Sequence, residues 1–213
     1  MILQPDDADA TSEDDKWVLL TVQPRVAAGS LAFTEVPAGM IDDSHSFSGT
    51  AAKEVEEETS IKITEDELLN MSKLAAPQAT SSDWKTASAR AGPSTSNNDT
   101  EALEIAAYPS PGACDESIIQ FLYQKRLPRD IIDSLRDLET GLHGEGEKIT
   151  LKLVKLEHLW RECSRDGKTL AALALYEGLR REGKIPKIET MSDEKSEEIR
   201  KRLQEENTGA SKM

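Results

Sequence analysis

The sequence is poor in cysteine and in positive charge. Its two cysteines, Cys114 and Cys163, do not form a CxxC pair, which excludes a disulfide framework and is typical of a reducing compartment. Its 40 acidic residues outnumber 26 basic ones and give a formal net charge of −14. The basic surface that nucleic-acid binding needs is therefore absent from the composition. A phosphate-bearing substrate is not excluded, because bound metal ions can supply positive charge locally.

Long apolar segments are also missing. The longest apolar run, Leu170–Leu175, is far shorter than the roughly 20 residues that span a bilayer as a helix. The first fifteen residues are acidic and contain no apolar stretch of the kind that a secretory signal peptide carries. We therefore expect no nucleic-acid or membrane partner and a cytoplasmic protein, with the nucleus as the alternative.

The length of the chain predicts one domain with one sizeable core. Composition divides the chain into an acidic disordered lead at 1–15, a domain at 16–186 and a charged tail at 187–213. Within the domain, residues 76–101 are rich in Ser, Thr, Ala, Asn and Pro and nearly free of large apolar side chains. Such a stretch cannot offset its ordering entropy, so we predict a disordered insertion there.

Hydrophobic patterning predicts strands that alternate with helices. The predicted strands are Lys16–Val22, Leu31–Val36, Ser117–Tyr123 and Lys148–Val154. The predicted helices run from Ser48 to about Thr59, from Pro128 to Leu138, from Leu156 to Cys163 and from Thr169 to Arg181. This interleaving predicts an α/β or α+β fold built around a mixed sheet.

The helix that follows Gly39 is crowded with acidic residues. Four glutamates fall within five positions: Glu54, Glu56, Glu57 and Glu58. Like charges at helical spacing repel by roughly a few tenths of a kcal/mol per pair, so a cation nearby would be stabilising. Residues three and four apart share a face, which predicts that Glu54, Glu57 and Glu58 project together and suit Mg²⁺. The alternative is a solvated acidic helix, which is what charge runs usually represent.

The spacing of this segment resembles the Nudix box. That box is a glycine, five residues, a glutamate, seven residues, and then Arg-Glu-apolar-any-Glu-Glu-any-Gly-apolar. Gly39 takes the first position, and residues 53–61 fill the last nine without a gap. Three positions depart from the pattern, because His45 replaces the first glutamate, Lys53 the arginine and Ser60 the second glycine.

The resemblance implies a Nudix-type fold, in which a mixed β-sheet is sandwiched between helices. It also implies that Glu54 and Glu58, with Glu57 beside them, hold Mg²⁺, for which Mn²⁺ is a substitute. Ser60 is expected in a helix C-terminal turn where glycine is preferred, at a cost of ~1 kcal/mol. His45, in a polar loop, is expected to be an exposed structural residue rather than a ligand.

A finer resemblance, to the ADP-sugar pyrophosphatase branch of the family, covers roughly residues 17–184. It rests on EVPAGMIDD at 35–43, on YPSPGACDE at 108–116 and on Gln23-Pro24-Arg25. In that branch the backbone carbonyl at the Ala38 position also binds metal. The substrate-binding residues that the resemblance implies are Arg25, Gly39, Met40, Ser110, Gly112 and Glu116. The implied partner is a nucleoside diphosphate sugar, either ADP-ribose or ADP-glucose.

The segment 142–147 (LHGEGE) is similar to the mobile loop that supplies the general base in this branch. The resemblance implies Glu145 as the base and Glu147 as a further metal ligand, although these two roles are not separable from the sequence. Glycines on both sides of Glu145 would let the loop close on a ligand. Glu57 completes the implied catalytic set, and the products would be AMP and a sugar phosphate. The alternative is a solvated hinge loop with incidental acids.

Fuller members of the family carry N-terminal strands that support dimerisation and clamp the nucleobase. Here only the acidic lead precedes Lys16, so this sequence either lacks that module or dispenses with it, which weakens the case for a homodimer. A second interpretation is a catalytically impaired Nudix module that binds a nucleotide sugar or a protein partner. A third is an acidic interaction protein without a site, against which a core that buries Trp17, Phe121 and Trp160 would count.

Overall fold

The computed structural model of this chain describes residues 1–9, 12–40, 47–76, 105–141 and 148–210. Its strands are β1 (Ile2–Pro5), β2 (Trp17–Arg25), β3 (Ser30–Glu35), β4 (Leu69–Asn70), β5 (Phe121–Leu122), β6 (Gln124–Leu127), β7 (Glu139–Thr140), β8 (Ile149–Lys155) and β9 (Glu189–Thr190). Its α-helices are α1 (Phe47–Thr59), α2 (Met71–Ala75), α3 (Arg129–Ser134), α4 (Leu159–Glu162), α5 (Gly167–Arg181) and α6 (Asp193–Ala210). Short 3-10 helices occur at Val26–Ala28, Glu65–Glu67 and Leu156–His158.

A seven-stranded mixed sheet forms the centre of the molecule. Six strands lie in the order β7-β8-β2-β1-β6-β9, and β3 pairs with β2 outside this path. The pairs of β1 with β6 and of β6 with β9 are parallel, and the other pairs in this sheet are antiparallel. β2 pairs with β8 along Trp17–Val22 and with β3 from Thr21 to Arg25. The far end of β2 therefore carries Gln23 and Arg25 out beside β3.

Helices cover both faces of the sheet. Successive strand residues point to opposite faces, so Leu19 joins one apolar cluster while Val18 and Leu20 join the other. The first cluster includes residues of α1, α3 and α6, and the second includes residues of α2, α4 and α5. The predicted mixed sheet between helical layers is confirmed.

The prediction of a disordered acidic lead at 1–15 is wrong for its first residues. Ile2–Pro5 form β1, all four residues are buried, and the strand lies between β2 and β6. The acidic residues that follow are held by basic ones, since Arg129 contacts both Asp7 and Asp15 at 3.0 Å. A strand therefore precedes Lys16, contrary to expectation. The sequence did not indicate it, because β1 is stabilised by its pairing with β2 and β6 and not by its local composition.

The described part of the predicted charged tail, residues 187–210, also belongs to the fold. β9 pairs with β6, and α6 places Ile199 and Leu203 in the core at 2% exposure each. Their spacing of four residues aligns them on one helix face, while the charged residues between them occupy the other faces. The predicted insertion at 76–101 lies outside the described residues after Ala76.

The remaining sequence predictions differ from the structure mainly at their ends. α1 begins at Phe47, so Ser48 lies inside the helix rather than capping it, and the helix ends at Thr59 as predicted. The predicted strand Ser117–Tyr123 is reduced to an isolated bridge at Ile118 and the two residues of β5. Trp160 is 53% exposed rather than buried. In the part of the chain that the structure describes, no helix combines the length and the apolar character needed to cross a membrane.

Candidate functional site

The loop that follows β3 brings Gly39, the first position of the predicted box, next to the acidic helix α1. Pro37 cannot donate a backbone hydrogen bond, and the strand ends before it. The next amide, Ala38 N, donates to Glu58 Oε2 at 3.1 Å. The loop therefore turns from the edge of the sheet onto the carboxyl-terminal half of α1.

Gly39 lies against the side chain of Glu54. A Cβ atom at this position would lie 1.9 Å from Glu54 Cδ and 2.2 Å from Glu54 Oε1, closer than any real contact. The absence of a side chain is therefore what allows the Glu54 carboxylate to occupy this place. Any larger residue at position 39 would have to displace the Glu54 carboxylate.

Glu58 is the most buried of the predicted metal ligands. It is 4% exposed, and its carboxylate accepts hydrogen bonds from Ala38 N and from Gln23 Nε2, the latter at 3.4 Å. Its backbone carbonyl accepts from Thr140 Oγ1 at 2.5 Å, which ties the helix to β7. A carboxylate removed from water must be compensated by hydrogen bonds or a cation, so this position is suited to a ligand role.

Glu56 and Glu57 each pair with a basic side chain. Lys53 Nζ lies 3.6 Å from Glu57 Oε1, and Arg202 Nη1 of α6 donates to Glu56 Oε1 at 2.7 Å. These residues line a groove of about 670 Å³ between α1 and α6, which Gly141 also borders. Glu57 thus borders this groove and pairs with Lys53, and its role as a metal ligand stays a prediction.

Ser60 has the backbone conformation that the box reserves for glycine. Its φ of 58° lies in the left-handed region, and its amide donates to Glu56 O at 2.9 Å to close the end of α1. The hydroxyl donates to Glu206 Oε1 on α6 at 3.1 Å. The predicted helix C-terminal turn is confirmed, with a serine in a conformation that costs an L-residue about 1–2 kcal/mol.

A buried ion network stands beside the loop. Glu35, at 1% exposure, accepts from Arg25 Nε at 2.6 Å and from Lys168 Nζ at 2.7 Å. Lys168 also contacts Asp166 Oδ1 at 3.0 Å. Burial alone would lower the pKa of Lys168, but its hydrogen bonds to Glu35 and Asp166 raise that pKa above its usual value. Arg25 keeps 42% of its side chain exposed, so this predicted substrate residue is both anchored and accessible.

The start of α5 completes this network. Asp166 caps the helix by accepting from Lys168 N at 3.2 Å and Thr169 N at 3.1 Å. Thr169 Oγ1 donates to Asp166 Oδ2 at 2.5 Å and accepts from Val36 N at 3.1 Å. Helix α5 is therefore hydrogen-bonded to the residue that opens the loop.

The other predicted site residues are less closely tied to this centre. Met40 is 90% exposed at the end of the described loop. Ser110, Gly112 and Glu116 are exposed in a turn in which Ser110 O accepts from the amides of residues 113 and 114. Their role as substrate contacts stays a prediction. His45, Glu145 and Glu147 lie outside the described residues, so their predicted roles are not tested.

The oxygen donors around the Ala38–Gly39 turn are chemically suited to a divalent cation, but they are too few to bind one without further ligands. Within the described ranges, no three acidic, histidine or cysteine side chains converge closely enough to hold a metal ion by themselves. Two carboxylates, Glu54 and Glu58, reach the Ala38–Gly39 turn, and carboxylate and carbonyl oxygens are the donors that Mg²⁺ prefers. Further ligands would come from a bound substrate or from the segment that contains Glu145 and Glu147.

Four residues of the site region had not been assigned a role from the sequence: Glu35, Asp166, Lys168 and Thr169. Glu35 belongs to the quoted string EVPAG, but no local pattern indicates its partners, which are 10 and 133 residues away. A signal did exist at α5, because Asp-Gly-Lys-Thr places a capping aspartate before a helix. The predicted helix began at Thr169 and so left the cap out.

Comparison with known proteins gives two matches. Residues 8–109 match the family model described as the NUDIX domain, and this stretch contains the Ala38–Gly39 turn and α1. A protein of Arabidopsis thaliana named Nudix hydrolase 14, chloroplastic, is 35% identical to this chain over 175 residues. The alignment covers 82% of this chain and 48% of that protein, so the chain spans about half the length of this relative.

Proposed function

Because this chain carries a Nudix domain, we propose that it is a hydrolase that cleaves the diphosphate of an ADP-sugar. The substrate would be ADP-ribose or ADP-glucose, and the products would be AMP and a sugar phosphate. The substrate class is supported by the sequence resemblance at 35–43 and 108–116. The name of the Arabidopsis relative supports hydrolase activity but specifies no substrate.

The observation that carries the proposal is the convergence of Glu54 and Glu58 on the Ala38–Gly39 turn. One carboxylate is packed against Gly39, and the other is buried and hydrogen-bonded to Ala38 N. Hydrolases of this family generally use divalent metal ions, and Glu54, Glu58 and the Ala38 carbonyl would hold Mg²⁺ or Mn²⁺ here. Glu57 and Glu147 are the further proposed ligands. When bound, the metal neutralises the charge of the diphosphate.

The protein's own groups would then bind the substrate and move one proton. Arg25, anchored through its Nε by Glu35, presents the rest of its guanidinium to a substrate phosphate. Glu145 would take a proton from the attacking water. The water oxygen bonds to one phosphorus, the bond from that phosphorus to the bridging oxygen breaks, and the bridging oxygen leaves with the other product.

The direct test is release of AMP from ADP-ribose and from ADP-glucose, with and without Mg²⁺ or Mn²⁺. We expect turnover that requires the metal and a preference for one of the two sugars. Because the chain spans about half the length of the Arabidopsis relative, the assay should include a longer version of the protein. Absence of turnover in both proteins at every metal concentration would contradict the proposal.

A second candidate is a catalytically impaired Nudix module that binds a nucleotide sugar or a protein partner. The ion pair between Lys53 and Glu57 favours this impaired module, because the lysine ammonium pairs with a carboxylate that is proposed to bind metal. Calorimetric titration with ADP-ribose separates the two candidates. Binding without AMP release would favour the impaired module, and binding followed by release would favour the enzyme.

The compartment and the oligomeric state also remain proposals. The Arabidopsis relative is named as chloroplastic, whereas the cysteine content of this chain favours a reducing compartment such as the cytoplasm. A fluorescent fusion of the full-length protein would locate it. Light scattering in solution would show whether it is a homodimer.

A further inference from the structure

Two consecutive residues of α5 hold two consecutive residues at the start of the site loop. Lys168 Nζ donates to the Glu35 carboxylate at 2.7 Å, and Thr169 Oγ1 accepts from Val36 N at 3.1 Å. These contacts join segments that are 133 residues apart in the chain. The start of α5 is therefore placed to set where the loop leaves the sheet.

Asp166 fixes the orientation of both α5 side chains. Its Oδ2 accepts the Thr169 hydroxyl proton at 2.5 Å, and its Oδ1 lies 3.0 Å from Lys168 Nζ. Because the hydroxyl proton is used in this bond, a lone pair of Thr169 Oγ1 is left for the Val36 amide. Asp166 is 4% exposed and Thr169 is fully buried, so water does not replace these bonds easily.

The loop is held from both ends through its amide hydrogens. Val36 N donates to Thr169, Pro37 has no amide hydrogen, and Ala38 N donates to Glu58. These bonds do not use the carbonyl oxygens of the loop, which are the backbone groups that bind a hard cation. Because each peptide unit is planar, fixing the Val36 and Ala38 amides fixes the peptide units that end at these two residues, and with them the position of the Ala38 α-carbon from which the Ala38 carbonyl extends.

We propose that Asp166, Lys168 and Thr169 form an α5 clamp that positions the Ala38 carbonyl and Arg25 for metal and substrate. The clamp acts on the loop through Thr169 and on Arg25 through the shared Glu35 carboxylate. Its members are positioning residues that touch neither the metal nor the substrate. This inference rests on the proposed hydrolase function for its kinetic readout but not for its metal-binding readout.

The clamp is tested with Thr169→Val and Thr169→Ser. Valine keeps the shape of threonine but has no hydroxyl, whereas serine keeps the oxygen that accepts from Val36. We expect Thr169→Val to weaken Mn²⁺ binding about tenfold, as loss of an outer partner of a metal ligand does, and Thr169→Ser to bind within a factor of about two. Mn²⁺ binding is followed by electron paramagnetic resonance on the full chain without substrate.

A matched control separates positioning from general loss of stability. Ser72 is also buried, and its hydroxyl accepts from a backbone amide, Gln120 N, at 2.9 Å. We expect Ser72→Ala to lower Tm as Thr169→Val does, while its affinity for Mn²⁺ stays that of the wild type. Equal Mn²⁺ affinity in Thr169→Val and wild type, or equal weakening in Ser72→Ala, would overturn the clamp.

Lys168→Met provides a second variant if Thr169→Val does not fold. This variant keeps the hydrogen bond between Val36 and Thr169. Of the two basic residues described above as partners of Glu35, only Arg25 remains. We expect KM to rise about tenfold with kcat reduced less, because Glu35 would then be paired with Arg25 alone and would hold the substrate-binding guanidinium more tightly. An unchanged KM would contradict this half of the clamp.

The two proposals fail in different ways. If the wild type binds Mn²⁺ but turns over neither ADP-ribose nor ADP-glucose, the proposed function is wrong while the Mn²⁺ comparison of the Thr169 variants still tests the clamp. If the wild type is active and the Thr169 variants do not differ in Mn²⁺ affinity, the clamp is wrong and the function stands. Wild-type protein that binds no Mn²⁺ contradicts both.

Discussion

The two sides of α1 use the same residue type in opposite ways. Glu58 is buried beneath the loop from β3, where the Ala38 amide and Gln23 donate to it. Glu56 is partly exposed and pairs with Arg202 across the groove to α6. An exposed ion pair contributes about 0–1 kcal/mol, whereas burying a carboxylate has a large desolvation cost that must be compensated. Burial beneath the loop therefore distinguishes Glu58 from Glu56, although both are glutamates of the same helix.

The strongest test of this difference is to neutralise one glutamate on each side of α1. Glu58→Gln keeps the volume but removes the charge and leaves one acceptor oxygen for the two donors, Ala38 N and Gln23 Nε2. We expect AMP release to fall by more than about a hundredfold, since even outer partners of a metal ligand cost ten- to hundredfold. Glu57→Gln, on the groove side, should lose about tenfold. Steady-state kinetics at saturating Mg²⁺ measure both, and equal losses would contradict the distinction.

Gly39→Ala tests whether close approach to the loop defines the ligand side. The new Cβ would fall 1.9 Å from Glu54 Cδ, and this flexible side chain would move aside, so the fold should survive while the carboxylate is displaced. Displacement by about 1 Å can cost roughly a hundredfold in rate. The control is Gly178→Ala in α5, where a Cβ meets nothing within 4 Å and helix propensity should add about 1 kcal/mol. Activity equal to the control would sink the idea.

Ser60→Gly probes the end of α1, where both sides meet α6. Glycine adopts the left-handed conformation without strain, but the bond from the hydroxyl to Glu206 is lost. We expect a net stabilisation of about 0.5–1 kcal/mol, measured by urea unfolding. Glu206→Met removes the acceptor while keeping a side chain of similar length, and so isolates the hydrogen-bond contribution. A destabilised Ser60→Gly protein would mean that the contact to α6 outweighs the backbone strain.

The smallest expected effect is the contribution of the surface ion pair between Arg200 of α6 and Asp130 to thermal stability, which acid should remove. Arg200 donates to both oxygens of Asp130 on α3, and this hydrogen bonding lowers the pKa of Asp130. A carboxyl whose folded pKa lies below its unfolded value of about 3.9 stabilises the fold above that pH and stops doing so as pH falls through the folded pKa. The Tm advantage of the wild type over Arg200→Met should therefore be constant from pH 7 to 5 and vanish toward pH 2. A constant difference would rule out this origin.

The parts of the fold that were predictable have a strong local pattern. β2, β3, β8 and α1 were each predicted within a few residues, because apolar periodicity and turn residues specify them locally. The prediction that Ser60 ends α1 in a turn followed from the box alone and is confirmed by its φ. A strong local pattern was sufficient even for β2 and β8, which pair with each other although they are far apart in the sequence.

The parts that were missed depend on distant contacts. β1 has four residues and takes both of its neighbours from further along the chain, and α6 hides two core residues in a strongly charged segment. The pairing of Glu35 with Lys168 spans 133 residues and leaves no mark in either segment.

The place of β1 in the sheet has a consequence for how the chain folds. β1 pairs in parallel with β6, and more than 120 residues separate the two strands. During synthesis the first strand must therefore wait until β6 has left the ribosome before its second edge is covered, and loop closure over that distance is slow. The apolar face of the nascent chain stays exposed meanwhile, so we expect chaperone dependence and aggregation during expression to respond to changes in β6 more than to changes in α1.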